Sequence, residues 1–459
     1  MNTNFRVSPQ KTMNFTELVV DNFAGGGGAS TGIEDAIGRP VDIAINHDPQ
    51  AIGMHKTNHP GAQHYEESVW AVDPRAVTNS QPVGLAWFSP DCRHHSKASG
   101  KRPVSTRVRG LAWVTLKWAG LTKPRVIILE NVEEFEDWGP ITRSGRPCKR
   151  NKGVVFERFV AQLRALGYRV DWRTIRACDY GAPTIRKRLF LVARRDNLPI
   201  VWPTPTHGVG AGLKPYRTAR EIIDWSIPCP SIFTRKRPLV EKTMARIAKG
   251  LERFIFNGHP KIIELQGQNE FANEETSGLV VAFLAKHFGG VTGVTIDVPL
   301  PTITTRGTQT QIVTSHLIKL RGTCKDGQSI DKPLPTLTAG GNHVGEIRTY
   351  LSKYKGANHA PPINVGALDK NDRAKLGILE IDGVMYQIID IGMRMLSPRE
   401  LYRAQGFPED YVINVDSMGQ PIKITQQIHK CGNSVSPVVA KALVRANYVD
   451  CELPIHVSA

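Results

Sequence analysis

Between residues 15 and 195, short uninterrupted apolar runs alternate with stretches of helical spacing, and this alternation limits the fold more than any other feature of the chain. The runs are LVVDNF (Leu18 to Phe23), VDIAIN (Val41 to Asn46), VGLAWFS (Val83 to Ser89), RVIILENV (Arg125 to Val132) and RLFLVARR (Arg188 to Arg195). Val154 to Leu166 is one of the helical stretches between them. A strand that is apolar at consecutive positions has two faces to cover, so helices must lie on both sides of its sheet. Strand–helix–strand order also makes neighbouring strands parallel. The expected fold is α/β, a Rossmann-like domain with a mostly parallel sheet over residues 15–197. Ligands of such sheets bind at the carboxyl ends of the strands.

Residues 198–393 have a different texture, dense in Pro, Gly and Thr. Asp297-Val-Pro-Leu-Pro-Thr-Ile-Thr returns as Asp331-Lys-Pro-Leu-Pro-Thr-Leu-Thr, 34 residues on, and HLIKLRG (His316 to Gly322) returns as YLSKYKG (Tyr350 to Gly356). FLAKHFGG (Phe283 to Gly290) is a weaker earlier copy. Pro-Leu-Pro-Thr followed by β-branched residues reads as turn, then strand. This predicts a duplicated β unit in a smaller β-rich domain, either a contact surface or a plain scaffold. In residues 394–459, PRELYRAQGF and SPVVAKALVRANYV have helical spacing and are expected to pack back on the first domain.

Charge narrows the partner. Lys plus Arg is 59 and Asp plus Glu is 42 in 459 residues, a formal net charge of +17. A folded chain this basic favours nucleic acid. No run of about 18 apolar residues exists to span a bilayer, and MNTNFRVSPQ at the start has no apolar core, so a cytosol-like compartment and no membrane are expected. The seven cysteines are scattered without a CxxC pair, against a disulfide framework and against a structural zinc cluster. No metal centre is expected.

The first motif is DNFAGGGGAS (Asp21 to Ser30), between the first strand and a helix. Its glycines let backbone approach a ligand and free a helix N-terminus, but it is neither a P-loop nor a clean GxGxxG turn. In FSPDCRHHS (Phe88 to Ser96), Arg93, His94 and His95 surround Cys92 with positive charge and donors, which favours thiolate. A Cys-x-His-His metal site without a fourth ligand nearby, and an inert half-buried thiol, are the rival readings. LENVEEF (Leu129 to Phe135) ends a strand with Glu130 at the sheet mouth, where desolvation raises a carboxyl pKa. YGAPTIRKRLFLVA brings Arg186 and Arg188 from a loop into a strand, and CGNSVSP (Cys431 to Pro437) is a Gly-Asn turn before a helix.

In this order the segments resemble the motif series of cytosine-5 DNA methyltransferases. DNFAGGGG resembles that family's cofactor loop and SPDC its Pro-Cys nucleophile loop. ENV matches its Glu-Asn-Val, and TIRKR resembles its Gln-x-Arg-x-Arg. RELYRAQGFP and GNSVSP resemble its last two motifs, so the likeness covers well over half of the chain. The departures are Asp91 and Arg93 for the usual Pro and Gln around the cysteine, and Asn46 for the ribose-binding acid, with Asp48 two residues on. Further, Glu67 lies beside Ser68 at the adenine position, and Thr184 replaces Gln.

The resemblance implies a methyl donor, S-adenosyl-L-methionine, and transfer to carbon 5 of a flipped cytosine in double-stranded DNA. Cys92 would attack carbon 6, while Glu130, Arg186 and Arg188 complete the catalytic group. Asp21, Phe23, Gly25, Gly27, Asn46, Asp48, Glu67, Pro90, Asn433 and Val435 are the implied cofactor contacts. The 198–393 region takes the place of the family's target-recognition domain. Candidate DNA contacts are Arg93 and Ser96, with Arg306, Gln309, Asn342 and His343 at the repeat tips. The likeness further implies a monomer in a bacterial or phage-infected cytosol and a cognate restriction endonuclease beside it. An RNA cytosine-5 methyltransferase and a catalytically silent DNA-binding protein of the same fold are the alternatives.

Overall fold

The structure, a computed structural model, describes residues 17–91, 110–142, 146–266, 310–321, 324–354 and 369–449. The apolar runs become one sheet. In chain order the first region gives β1 (Leu18–Asn22), α1 (Gly28–Ile37), β2 (Ile43–Ile45), α2 (Pro49–Asn58), β3 (Gln63–Tyr65), β4 (Val83–Phe88), α3 (Val114–Leu121), β5 (Val126–Asn131), α4 (Val154–Ala165), β6 (Arg169–Arg176) and β7 (Lys187–Arg194). Their order across the sheet is β3-β2-β1-β4-β5-β7-β6. The first five neighbours in that order run parallel. Strand β7 is antiparallel to both β5 and β6. The reversal matters for the site: the amino end of β7 lies at the same edge as the carboxyl ends of β1, β4 and β5. The chain winds outward from β1 to β3 and then crosses to β4, so a crevice opens between the ends of β1 and β4.

Both faces of this sheet are covered, as its apolar strands require. On one face Trp118, Phe135, Phe156, Phe159 and Leu163 pack on Ile127, Leu129 and Leu191. Each such side chain, removed from water, contributes about 1.5–3 kcal/mol. On the other face Ile33 of α1 meets Leu85, Trp87, Ile128 and Phe190.

The second sheet is antiparallel. It contains β8 (Ile263–Gln266), β9 (Thr310–Lys319), β10 (Gln328–Ser329), β11 (Val344–Lys353), β12 (Ile378–Ile381) and β13 (Val384–Met395), in the order β10-β9-β11-β13-β12 with β8 on β9. Helix α5 (Glu241–Leu251) covers it through Ile247 and Leu251. The 34-residue repeat is visible here: β9 and β11 begin at 310 and 344, pair with each other, and are the two copies of one strand. The Pro-Leu-Pro-Thr segment is not itself a ladder strand, since Pro333 and Pro335 lack the amide donors a ladder needs. It is instead stitched to the first domain. Leu334 donates its amide to Pro183 O and accepts from the Ile185 amide, both at 2.8 Å. The earlier copy at 297–304 and the weaker one at 283–290 lie outside the described residues.

The last region forms α6 (Pro398–Gln405), α7 (Ile424–Asn433) and α8 (Pro437–Val444). Ser397 caps α6 reciprocally with Glu400, the capping-box arrangement. Val439, Ala440 and Leu443 of α8 join the first sheet's core beside Ile33. Helix α6 packs between the two sheets, with Leu401 and Tyr402 against Met54, Leu317 and Leu334.

Candidate active site

The turn after β1 is built from left-handed backbone. Phe23, Gly25 and Gly27 have φ of 62°, 56° and 92°. At Gly27 a Cβ would stand 2.6 Å from His59 Nε2 and on top of the Tyr411 hydroxyl, so no side chain fits. Tyr411 donates its hydroxyl to Gly26 O, which fixes the loop from behind. Below the loop, Asp21 is fully buried and accepts a hydrogen bond from Ser30 Oγ at 2.7 Å. Burial pushes its carboxyl up to about 7, against the lowering effect of Ser30. His55 Nε2 lies 2.9 Å from Ser30 Oγ, and His55 Nδ1 lies 2.8 Å from His64 Nε2. Two donors are required along that chain, so the neutral His55 carries its proton on Nε2 when His64 donates to Nδ1.

Glu130 ends β5 at the mouth of the crevice and is 6% exposed. Its Oε1 is 3.2 Å from Arg188 Nε and 4.0 Å from Arg186 Nη2. The Arg188 approach lies off the N–H axis, so the buried Oε1 takes no well-formed hydrogen bond. Burial raises the Glu130 carboxyl above its usual range, against the pull of both guanidinium groups. The two arginines differ in their work. Arg186 is buried and donates to Leu337 O, Gly432 O and Ser434 O at 3.4, 3.1 and 2.7 Å. It therefore staples the turn after α7 to the catalytic edge. Arg188 is nearer to Glu130 and gives one bond to Lys187 O.

The cleft that holds Glu130, Arg186 and Arg188 is also lined by Phe23, Gly25, Asn46, Asp48, Pro90, Asn433 and Val435. Of the expected cofactor contacts, Asp21 and Gly27 lie behind this lining. Glu67 is not brought to the cleft: it is exposed in the loop after β3, whose three-residue strand ends at Tyr65. Asn342 and His343 line a neighbouring groove with Lys319, Arg321 and Ile185. The Asn342 amide is engaged there, donating to Leu396 O at 2.6 Å. Cys92, Arg93, Ser96, Arg306 and Gln309 lie outside the described residues.

Two further residues belong to the site. Asn131, buried beside Glu130, donates from Nδ2 to Pro90 O at 3.3 Å and accepts the Val132 amide at 2.9 Å. The ENV motif carries it, so its presence was legible although its partner was not. Lys430 of α7 enters the cleft and pairs with Asp48 Oδ2. No spacing rule marks Lys430, because its partner is 382 residues away.

S-adenosylmethionine brings an adenine ring, a ribose diol and a charged amino-acid tail, so its site needs apolar walls with polar groups between them. Phe23, Ala29, Ala51 and Val435 supply the walls, while Asn46, Asp48 and Lys430 supply the polar groups. Glu130, whose buried Oε1 lacks a hydrogen-bond partner, lines the same cleft. The residues present fit such a molecule.

The chain is 29% identical over 196 residues to the Type II methyltransferase M.AgeI of Thalassovita gelatinovora, covering 41% of this chain and 42% of that one. It is 24% identical over 231 residues to M.AquIA of a Picosynechococcus strain, covering 45% and 87%. It is 37% identical over 115 residues to M.BspRI of Lysinibacillus sphaericus, covering 24% of each. The alignment thus spans less than half of M.AgeI. In fold the chain is similar to a Spodoptera frugiperda DNMT2 at a TM-score of 0.50 and 14% identity, over 94% of this chain and all of the other. The S. pombe Dnmt2 methyltransferase gives the same TM-score and identity over 95% of this chain. The family model for the C-5 cytosine-specific DNA methylases matches residues 18–448, from β1 to just beyond α8, and on that match the chain belongs to this family.

Proposed function

We propose that this chain methylates carbon 5 of a flipped cytosine in double-stranded DNA, with S-adenosyl-L-methionine as donor. The observation that carries the reading is Glu130: a buried carboxyl whose Oε1 lacks a hydrogen-bond partner, flanked by Arg188, in the same cleft as the glycine turn. The donor supplies an electrophilic methyl group, which cytosine carbon 5 is too poor a nucleophile to take unaided. The chain's residues make it one. Cys92, two residues after Pro90 in the sequence, adds to carbon 6 as thiolate, and the ring's electrons move toward nitrogen 3. Glu130, whose carboxyl is raised above its usual range by burial, donates in its protonated form to that nitrogen and offsets the charge that builds there. After transfer, loss of the carbon 5 proton returns electrons to the ring and expels the Cys92 thiolate. Arg188 orients Glu130, and Arg186 holds the wall formed by residues 432–434.

Residues 198–393 are assigned to target recognition. Lys319, Arg321 and His343 in the groove beside Ile185 join Arg306, Gln309 and Asn342 as the residues to test. Kinship with Type II methyltransferases supports a partner endonuclease in the same cytosol. The monomer reading is checked by sedimentation, and among the described residues no helix is long and apolar enough to cross a membrane.

The test is transfer of labelled methyl to duplex DNA and to RNA, with a 5-fluorocytosine duplex as trap. Labelled DNA and a covalent adduct lost in Cys92→Ala are expected. Label in RNA alone favours the RNA enzyme, and no label in either favours a silent binder. Phosphate contacts by the basic chain should also weaken DNA binding about 10³–10⁵-fold between 50 and 200 mM salt, if six to ten phosphates are neutralised.

A further inference from the structure

Asp48 is occupied on both oxygens. Its Oδ1 accepts the amides of Gln50 and Ala51 at 3.0 and 3.2 Å, capping α2, and its Oδ2 accepts Lys430 Nζ. The carboxylate is thus spent on the helix and on the lysine. Asn46, which stands where the family resemblance expects an acid, accepts the Asp48 amide on Oδ1 at 2.9 Å. Its Nδ2 has no partner among the described residues and opens on the cleft. Lys430 is more deeply enclosed than its partner, with 4% of its side chain exposed against 35% for Asp48. Its stem lies along the glycine turn, where a Cβ on Gly26 would stand 3.6 Å from Lys430 Cβ. An ammonium has three donors. One goes to Asp48, and the others have no partner among the described residues.

A bridge that served only to fasten α7 to α2 would not need to line the cleft, and an enclosed ammonium with unused donors is costly to keep. We propose that Lys430 is a cofactor-contacting residue: held by Asp48, its ammonium joins the Asn46 amide in donating to the ribose hydroxyl oxygens. Hydroxyl recognition at this subsite therefore runs from protein donors to ligand acceptors, the reverse of a carboxylate receiving the ribose hydroxyl protons. The assignment rests on the methyltransferase reading, which supplies the ligand.

The test is a binding cycle on the full chain by calorimetry. S-adenosylhomocysteine is compared with its 2′,3′-dideoxy analogue on wild type and Lys430→Gln. Removing the hydroxyls should weaken wild-type binding about tenfold and Lys430→Gln binding by less than about twofold, because the contact is already lost. Lys430→Arg should restore most of the wild-type sensitivity. Equal sensitivity of wild type and Lys430→Gln to the missing hydroxyls overturns the proposal, since a purely structural lysine would leave that ratio unmoved. If Lys430→Gln does not fold by circular dichroism, Lys430→Met keeps the stem against Gly26 and takes its place. Wild type that binds neither ligand would instead defeat the methyltransferase reading itself.

Discussion

Asn131 Nδ2 donates to Pro90 O, and through this one buried bond the end of β5 holds Pro90, two residues before Cys92 in the sequence. Glu130 and Pro90 are thereby set relative to one another by adjacent residues of one strand. Asn131→Ala leaves the Pro90 carbonyl and the Val132 amide without their side-chain partner. We expect a stability loss of about 1–3 kcal/mol. We also expect a fall in kcat with cofactor Kd within about twofold of wild type, the pattern of a misplaced reacting group. Urea unfolding and single-turnover rates check this. Unchanged kcat would separate the loop from Asn131.

The raised Glu130 carboxyl gives the reaction a pH limb. Burial, opposed by Arg188 and Arg186, holds the proton above the ordinary carboxyl range. The protonated form is the donor, so kcat should fall as pH rises through that raised pKa. Glu130→Gln donates but cannot titrate. It should lower kcat about 10²-fold or more and abolish the limb. A limb that persists in the variant belongs to another group.

Asp21 makes stability depend on pH in one direction. Its folded pKa of about 7 exceeds the ordinary 3.8, so its contribution is full below pH 3.8 and is lost as pH rises to about 7. By linkage the loss is of order 4 kcal/mol. His55 acts oppositely: burial holds it neutral, so its penalty appears as pH falls below 6.5. Asp21→Asn should remove the first trend and keep the second. Melting temperatures of both proteins from pH 4 to 8 give the comparison, and parallel curves would show that Asp21 does not titrate there.

Arg394 joins the second sheet to α6. It reaches Glu346 Oε2 at 2.8 Å and Glu400 at 2.7 and 2.9 Å, with all three side chains buried. Arg394→Met leaves the enclosed Glu400 without its cation, while Glu346 keeps Arg348, and should cost about 3–5 kcal/mol. Arg394→Met with Glu400→Gln should recover part of that. Denaturant midpoints of the single and double variants decide it.

Legibility followed burial. The strands buried on both faces, β1, β2, β4, β5 and β7, could be read as apolar runs. Strand β6 could not: Arg169, Asp171, Arg173, Thr174 and Arg176 are exposed on a sheet-edge strand, so its sequence is nearly polar. Strand β3 is three residues at the other edge. The direction of β7 was also hidden, because parallel and antiparallel neighbours bury the same residues. That direction is what brings Arg186 and Arg188 to Glu130. The repeat foretold a duplicated β unit but not that its two strands would pair, and the proline segment, expected as a turn before a strand, is a tether between domains. Lys430 carried no signal, since an ion pair across 382 residues is a product of the fold.

The Arg186 staple has a consequence for biosynthesis. The cleft's floor comes from residues 18–131, whereas its closing wall, pinned by Arg186 at Gly432 and Ser434, leaves the ribosome hundreds of residues later. A nascent chain halted before α7 carries Glu130 and both arginines but lacks the wall at residues 432–435. On the proposed methyltransferase reading, marking of DNA waits until the final helices have docked.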